Sequence, residues 1–239
     1  MKSGAPSLIH VVAGVVIDSQ ERVLIAQRPA GKHLAGGWEF PGGKLQPGEE
    51  RRTGLARELL EEIGITIGAP RPLMRIRHSY AYGDVLLDIW VVRHYSGQPQ
   101  GLDAQALRWC THQELATADL LPADRPIVAA LRLPAVLTRA STPDYHIGDV
   151  AVQRVAVERA NERGDSKLKG VFCSDAEQAV AAAGAGADFL VMTEPLAMRA
   201  LAALCESIPK PVFAAGIELE RAWGLGVSGV NQIDAGPLD

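Results

Sequence analysis

The sequence predicts an α/β protein built from two parts. In the first part, short β-branched segments alternate with helices, and a loop followed by a helix interrupts them, which is typical of an α/β sandwich. In the second part, an alanine-rich segment repeats a strand and then a helix, which indicates βα units of a parallel sheet. The predicted parts are residues 1–133 and 148–239, and residues 134–147, which are polar and contain two prolines, are the predicted linker.

The composition is that of an ordinary globular protein, with 47% hydrophobic and 22% charged residues in a chain of 239. A net charge of −4 gives no reason to expect binding to a nucleic-acid polymer. The apolar run at residues 8–17 is too short to cross a bilayer, so no membrane partner is expected. The three cysteines stand far apart and outside any CxxC spacing, which favours a reducing compartment and therefore the cytoplasm.

The strands of the first part are predicted from β-branched or alternating segments between turn residues. The turn-like sequence at residues 18–20 suggests that the first two strands form a hairpin. A capping box of Thr111 and Glu114 predicts a helix at residues 111–116, and a second helix is expected at residues 123–133. The predicted strands comprise residues 8–17, 22–28, 38–40, 71–80, 85–95 and 106–110.

Residues 43–65 (GKLQPGEERRTGLARELLEEIGI) are predicted to form a loop, then a helix, and then the end of that helix. Pro47 and Gly48 keep the loop out of regular structure, and Gly64 fits a C-terminal helix cap. The helix has one apolar side, which we expect to be buried. That side comprises Leu55, Leu59, Leu60 and Ile63.

Three glutamates of this helix share one face, because Glu58, Glu61 and Glu62 are spaced at i, i+3 and i+4. Arg57 has the spacing of an ion pair with Glu61. Such crowding of carboxylates is unfavourable unless a cation neutralises it. Mg²⁺ takes carboxylate oxygens together with the phosphates of a substrate, so the pattern fits a metal-dependent phosphate site. A solvated acidic helix face is the alternative.

The same stretch fills every fixed position of the Nudix box, G-x5-E-x7-R-E-U-x-E-E-x-G-U, in which U is aliphatic. The box residues are Gly43, Glu49, Arg57, Glu58, Leu59, Glu61, Glu62, Gly64 and Ile65. Further matching positions are Gln27-Arg28, His33, residues 38–44, Arg108-Trp109 and residues 121–124. On these positions, residues 11–133 resemble the MutT-type branch of the Nudix hydrolases. The resemblance implies an α/β/α sandwich with a mixed sheet, and hydrolysis of nucleoside triphosphates, notably 8-oxo-dGTP, to the monophosphate and pyrophosphate.

By position, the resemblance implies a metal site that holds Mg²⁺, with Mn²⁺ as an alternative. Either Glu58 or Glu61 is the expected general base, because clustered carboxylates titrate as a set. The family more often has glutamate at the position of Asp103, which taken alone also suits an ordinary loop residue. The implied metal ligands are Glu58, Glu61, Glu62, Asp103 and the Gly42 carbonyl, and the four carboxylates are the implied catalytic residues.

The resemblance also implies residues that bind the substrate. Arg28 and His33 are expected to face phosphate, and Phe40 and Tyr80 to form the base pocket, with solvated or core positions as the alternatives. Asp124 stands where the MutT pattern often has asparagine. An ionised aspartate only accepts hydrogen bonds, so it would take the N7–H of 8-oxoguanine but repel O6 unless it were protonated. Asp124 also suits the N-cap of a helix.

The second part resembles the second half of thiamine-phosphate synthase, a (β/α)8 barrel. The resemblance rests on Gly170-Val171 and on residues 185–189, 211–213 and 226–230. Only about half of a barrel is present, so a partial, half-barrel-like β/α domain is predicted. The predicted strands are residues 170–173, 189–192, 212–214 and 230–233, and the predicted helices are residues 176–183, 196–205 and 219–223.

The phosphate-binding positions of that barrel differ in this chain. Residues 214–217 lack one glycine of the expected loop, and Asp234 stands in place of a phosphate-binding serine, where a carboxylate would repel phosphate. We therefore expect no synthase activity. Sheet edges and apolar surface left by half a barrel suggest a role in homodimerisation or in packing against the first part.

Three functions compete on this sequence. The first is an Mg²⁺-dependent MutT-type pyrophosphohydrolase that removes 8-oxo-dGTP, dGTP or related triphosphates from the nucleotide pool. The second is a Nudix hydrolase of another diphosphate, such as a thiamine-related pyrophosphate. The third is a weakly catalytic binding or regulatory protein, against which the complete set of carboxylates argues, because folding does not require all of them.

Overall fold

The computed structural model describes residues 8–81, 83–137, 144–147, 150–155 and 168–232. Contacts divide the chain into two units. The first comprises the chain up to Pro72 with Arg77–Val128, and the second comprises Leu73–Ile76 with the chain from Ala129. Within the described residues, no helix combines the length and the apolar character that crossing a membrane requires.

The main sheet of the first unit is built on β1 (Ile9–Val16). This strand pairs in parallel with β7 (Gly83–Val92) and antiparallel with β4 (Gly42–Lys44). Strand β6 (Arg71–Tyr80) lies on the other side of β7. The sheet is therefore mixed, as the Nudix resemblance implies. Most of β1 and β7 is buried, which is why both strands read as apolar runs without strict alternation.

The predicted hairpin between the first two strands is wrong. Asp18 N–H donates to the Arg22 carbonyl, and Ile17 and Val23 form a single bridge, so the turn exists. Beyond it, β2 (Val23–Gln27) joins another sheet, between β3 (Trp38–Glu39) and β9 (Leu107–Cys110). The reason is that β4 and β7 already occupy both edges of β1. Two further short strands, β5 (Thr66–Ile67) and β8 (Tyr95–Ser96), pair with each other.

Helix α1 (Arg51–Ile63) has the C-terminal cap that its sequence predicts, and a further cap at its N-terminus. The Glu50 carboxylate accepts from Thr53 N–H at the N-terminus. Gly64 closes the helix in a left-handed conformation, with φ at 71°, and its N–H donates to the Leu59 and Leu60 carbonyls. The buried side is formed by Leu55, Leu59 and Ile63. Leu60, predicted to be buried, is 51% exposed because it points about 100° around the helix from Leu59.

Two short helices complete the first part of the chain. Helix α2 (His112–Thr117) begins with the predicted capping box of Thr111 and Glu114, which is confirmed. Helix α3 (Arg125–Leu131) is shorter than the predicted span of residues 123–133. A turn precedes it, because Asp124 N–H donates to the Leu121 carbonyl.

The second unit contains a seven-stranded sheet in the order β10-β16-β15-β14-β13-β12-β11. All neighbours are parallel except β11 and β12. From β13 to β16, successive strands are adjacent and a helix stands between each pair, as expected of a segment of a β/α barrel. The strands are β10 (Val136–Leu137), β11 (Asp144–Ile147), β12 (Val150–Val155), β13 (Leu168–Cys173), β14 (Phe189–Met192), β15 (Val212–Ala215) and β16 (Gly229–Asn231). The helices are α4 (Ala176–Gly184), α5 (Met198–Ser207) and α6 (Leu219–Gly224).

The predicted linker contains structure. Both β10 and β11 fall within residues 134–147 and belong to the sheet of the second unit. Two prolines and a polar composition conceal these short strands in the sequence. Residues 138–143 and Asp234 lie outside the described residues, and the predicted domain boundary after residue 133 stays a prediction.

Two aromatic rings fill one face of the second sheet. Phe189 and Phe213 meet edge to face, with ring centroids 5.9 Å apart. A Cβ on Gly170 would overlap the Phe189 ring, and one on Gly229 would lie 2.7 Å from the Phe213 ring. The two glycines therefore make the space that the two rings occupy.

We expect Gly170→Ala to destabilise the second unit by about 1–3 kcal/mol, because the added methyl overpacks the Phe189 site. Gly184→Ala is the matched control, since nothing lies within 4 Å of its added Cβ. Hydrogen exchange of the β13 and β14 amides in the full chain measures the effect. Equal protection in both variants would contradict this packing.

Candidate active site

A cavity of about 680 Å³ opens in the first unit. Its lining comes from β1, β4, the end of β6, β7, helix α1, the segment between β2 and β4, the loop between β8 and β9, and the segment before α3. All ten residues predicted for the site line it, namely Arg28, His33, Phe40, Gly42, Glu58, Glu61, Glu62, Tyr80, Asp103 and Asp124. The structure thus brings the predicted residues together, whereas their individual roles stay predictions.

The apolar wall of this cavity follows from strand geometry. Side chains alternate between the two faces of a strand, so every second residue of β1 and β7 reaches the cavity. These residues are Ile9, Val11, Ala13, Val85 and Leu87. The residues between them pack toward the other face, where Val12 joins the core cluster of Leu55 and Leu59 from α1.

The Arg57 guanidinium connects the box carboxylates. It donates through Nε and Nη2 to the two Glu49 oxygens, each at 2.8 Å, and through Nη2 to the Lys44 carbonyl at 3.1 Å. Its Nη1 donates to Glu58 at 2.7 Å and to Glu61 at 3.1 Å, which confirms the predicted pair with Glu61. The hydrogen bonds from Arg57 lower the pKa of Glu49 to about 2. Glu49 thereby ties the loop to the helix.

Glu62 is turned toward the loop before the box. It accepts a hydrogen bond from Gly42 N–H at 2.7 Å. Burial raises the pKa of Glu62 to about 7, and the charge of Glu39 adds to the shift, while the Gly42 hydrogen bond opposes it. Gly42 itself approaches β1 so closely that a Cβ would overlap the Val12 carbonyl oxygen. This contact requires glycine at the position.

The first glycine of the box has a similar role. A Cβ on Gly43 would overlap the Glu58 carboxylate. The carboxylate therefore rests against the bare backbone of β4, and any side chain at this position would displace it. The fixed spacing between Gly43 and Glu58 in the box corresponds to this contact.

The predicted metal ligands are not assembled around one point. Among the described residues, no three Asp, Glu, His or Cys side chains are grouped as metal binding requires. Glu58 and Glu61 face Arg57, and Glu62 faces the Gly42 amide. Asp103 is exposed, with one oxygen 3.9 Å from Lys32 Nζ. The carboxylates line one cavity, but each contacts a partner from the protein in this conformation.

Arg28, predicted to face phosphate, is engaged by a carboxylate. Its Nε donates to both Glu39 oxygens at 3.0 Å, and its Nη2 donates to one of them at 2.6 Å. Its Nη1 donates to the His33 carbonyl at 2.9 Å and so holds the loop after β2. A phosphate at Arg28 would therefore compete with Glu39.

The remaining predicted contacts are aromatic. The Tyr80 ring meets His33 edge to face, with centroids 6.0 Å apart, and His78 at 4.4 Å. Phe40 lines the cavity but is only 3% exposed, so it is a core residue as well as a wall of the site. Its core position is therefore confirmed, whereas its part in the base pocket stays a prediction.

Asp124 is a buried carboxyl in the cavity wall, 5% exposed. It precedes the first residue of α3 and so occupies the N-cap position, but its side chain accepts a hydrogen bond from the Phe40 backbone N–H. Burial raises the pKa of Asp124 well above its usual value, and the charge of Glu39 raises it further. Arg28 and the Phe40 N–H act in the opposite direction. Asp124 is thus protonated under conditions in which an exposed aspartate is ionised.

Three charged residues of the cavity are absent from the predicted set. They are Lys32, Glu39 and Lys44. Glu39 and Lys44 stand within residues 38–44, a stretch on which the resemblance rests, so that stretch is the signal that could have found them. No sequence pattern points to Lys32, because only the course of the loop after β2 brings it to the cavity.

Comparison with known proteins fits this geometry. The NUDIX domain family matches residues 12–130. The CTP pyrophosphohydrolase of Escherichia coli is 38% identical over 123 residues, which cover 52% of this chain and 90% of that protein. The chain belongs to the Nudix family. Residues 43–65, which fill the Nudix box, lie within the matched region.

Two other relatives are named as 8-oxo-dGTP diphosphatases. A putative 8-oxo-dGTP diphosphatase 2 of Mycobacterium tuberculosis is 41% identical over 122 residues, covering 51% of this chain and 86% of that protein. The 8-oxo-dGTP diphosphatase of Escherichia coli is 30% identical over 124 residues, covering 52% and 96%. These matches give no support to the resemblance between the second part and thiamine-phosphate synthase.

The raised pKa of Asp124 predicts how stability depends on pH. Its contribution to stability is complete below the unfolded value of 3.8 and is lost as pH rises toward the folded-state pKa. Asparagine cannot ionise, so Asp124→Asn should gain stability relative to the natural protein as pH rises, by up to about 1.4 kcal/mol per pH unit.

Urea unfolding at pH 5, 6, 7 and 8 measures this difference. The matched control is Asp119→Asn, which removes an exposed carboxylate of the same segment. A constant difference for Asp124→Asn would show that Asp124 titrates normally in the folded protein.

Proposed function

We propose that this protein hydrolyses nucleoside triphosphates to the monophosphate and pyrophosphate with Mg²⁺, and that it prefers 8-oxo-dGTP. The observation that carries the proposal is the shared cavity, in which the box carboxylates and the buried Asp124 line the same space. A triphosphate needs charge neutralisation at one part of such a site and base recognition at another.

The residues present fit a divalent cation, which Nudix hydrolases generally use. Carboxylate and carbonyl oxygens are the donors that Mg²⁺ prefers, and Mn²⁺ accepts the same set. Glu58, Glu61, Glu62, Asp103 and the Gly42 carbonyl would hold it. Burial makes the ionised form of Glu62 unfavourable, and a cation beside it would offset that cost. The bound cation supplies neutralisation of phosphate charge and activation of water.

The protein's own groups orient the reaction. Arg57 restrains Glu58 and Glu61, so either carboxylate is positioned to accept the proton of the attacking water. Attack at the β-phosphorus breaks its bond to the oxygen that links the α- and β-phosphates, and the electrons of that bond go to the leaving monophosphate. Arg28 and His33 would contact phosphate, and Arg28 would share its guanidinium between phosphate and Glu39.

The base preference follows from the protonation of Asp124. A protonated carboxyl offers one donor and one acceptor. The N7–H and O6 of 8-oxoguanine form the complementary pair, whereas N7 and O6 of guanine are both acceptors. One hydroxyl can satisfy only one of them. Phe40 and Tyr80 would supply the apolar and aromatic surface for the base.

Cytidine triphosphate is the second candidate substrate, because a relative with 38% identity is a CTP pyrophosphohydrolase. The N3 acceptor and N4 amino donor of cytosine also complement a protonated carboxyl. Both candidates therefore use the same chemical group in this chain. Direct comparison of the two nucleotides decides between them.

The proposal predicts that pyrophosphate release with Mg²⁺ is faster for 8-oxo-dGTP than for dGTP, in a panel that also holds CTP, the other triphosphates and thiamine pyrophosphate. Glu61→Gln should lower kcat by at least about 100-fold, because it removes a candidate base and ligand. The matched control is Glu177→Gln, an exposed glutamate of α4, which should leave the rate unchanged.

Faster release from CTP would select the second candidate. Turnover of thiamine pyrophosphate alone would show that the substrate is another diphosphate and not a nucleoside triphosphate. No release from any compound in the panel would indicate a binding or regulatory protein.

For the second unit we propose a role in homodimerisation. Within the described residues, its sheet ends at β10 and β11, and open sheet edges favour pairing with another chain. We expect sedimentation equilibrium of the full chain to give twice the 25.5 kDa of one copy. A mass of one copy at micromolar concentration would contradict this role.

A further inference from the structure

The segment that carries Asp124 is hydrogen-bonded to the strand that carries Glu39. Trp38 N–H donates to the Asp119 carbonyl at 3.0 Å, and Leu121 N–H donates to the Trp38 carbonyl at 2.9 Å. Asp124 N–H then closes a turn on the Leu121 carbonyl at 2.9 Å. The backbone therefore fixes the Asp124 segment relative to the strand that carries Glu39.

A second link joins the same two positions. The Asp124 carboxyl accepts from the N–H of Phe40, the residue that follows Glu39. Both carboxyls line the cavity, together with Phe40, Leu121 and Ala123. Asp124 is thus held among apolar groups, next to a strand that bears a negative charge.

The charge of Glu39 is itself held in place. Arg28 donates three hydrogen bonds to its two oxygens, so the Glu39 carboxylate has little freedom to turn away. The pairing of β2 with β3, in which Gln27 lies opposite Trp38, brings Arg28 and Glu39 together. Because Arg28 is hydrogen-bonded to Glu39, its positive charge offsets the negative charge of an ionised Asp124 only in part.

The charged groups around Asp124 act unequally. Glu39 on β3 opposes its ionisation, and Arg28 at the end of β2 favours it more weakly. Arg125, the first residue of α3, directs its Nε to the Leu120 carbonyl at 3.4 Å. Burial and Glu39 therefore decide the protonation of Asp124.

We propose that Glu39, fixed by Arg28, is a specificity-determining residue for the base, because it lines the same cavity as the buried Asp124 carboxyl, on a strand that is hydrogen-bonded to the Asp124 segment. A negative charge at this place favours the protonated form of Asp124, which offers one donor and one acceptor to the base. This inference rests on the proposed function. An ionised Asp124 would offer acceptors alone, which suit two adjacent donors such as N1–H and N2–H of guanine. Glu39 thereby sets which base edge the cavity accepts, although its own contacts are to Arg28.

The test is the ratio of kcat/KM for 8-oxo-dGTP to that for dGTP, measured from pH 6 to pH 8 on the full chain with Mg²⁺. Glu39→Gln keeps the shape of the side chain and removes its charge, which also leaves Arg28 without its anion. In this variant we expect the ratio at pH 8 to fall at least about tenfold below that of the natural protein, because Asp124 loses the neighbouring charge that opposes its ionisation. In the natural protein we expect this ratio to stay constant from pH 6 to pH 8.

The double variant Glu39→Gln/Asp124→Asn separates charge from structure. Asparagine supplies a donor and an acceptor at every pH, so the ratio should be independent of pH in Asp124→Asn and unchanged by adding Glu39→Gln. If Glu39 only shaped the cavity, Glu39→Gln would lower the ratio equally in the asparagine background. That result would overturn the inference.

Asp124→Ala distinguishes failure of this inference from failure of the proposed function. Suppose that Asp124→Ala loses the preference for 8-oxo-dGTP over dGTP, while the preference of Glu39→Gln does not change with pH. That pair of results would overturn the role of Glu39 alone. No hydrolysis of either triphosphate by the natural protein would refute the proposed function and this inference with it.

Discussion

The Arg57 guanidinium is the interaction on which the site depends. It joins the loop, through Glu49 and the Lys44 carbonyl, to the helix face that carries Glu58 and Glu61. Clustered carboxylates repel one another, and a planar group with five donors can engage several of them in fixed directions. Without it, the loop before α1 would lose its main polar attachment to the helix.

Bare backbone gives these charged groups their positions. A side chain at Gly42 would strike β1, one at Gly43 would strike Glu58, and one at Gly54 would strike Leu45 of the loop. The loop, the strand and the helix therefore approach more closely than any residue with a Cβ permits. The glycines and the carboxylates of the box form a single packing arrangement, and neither set is explained without the other.

Local signals in the sequence predict the elements that depend on neighbouring residues. The C-terminal cap of α1 and the α2 capping box are of this kind, as is the pair of Arg57 with Glu61. Strand β5 is too short to have a periodicity, so the pattern does not reveal it. The partner of Arg28 lies eleven residues away and is brought to it by strand pairing. The protonation of Asp124 depends on burial, which no spacing of residues encodes.

The position of Glu39 has a consequence for the cavity as a whole. Its charge acts on Glu62, beside the expected cation, and on Asp124, beside the expected base. The two groups therefore share one electrostatic neighbour. Removing the charge of Glu39 would therefore lower the pKa of both carboxyls at once.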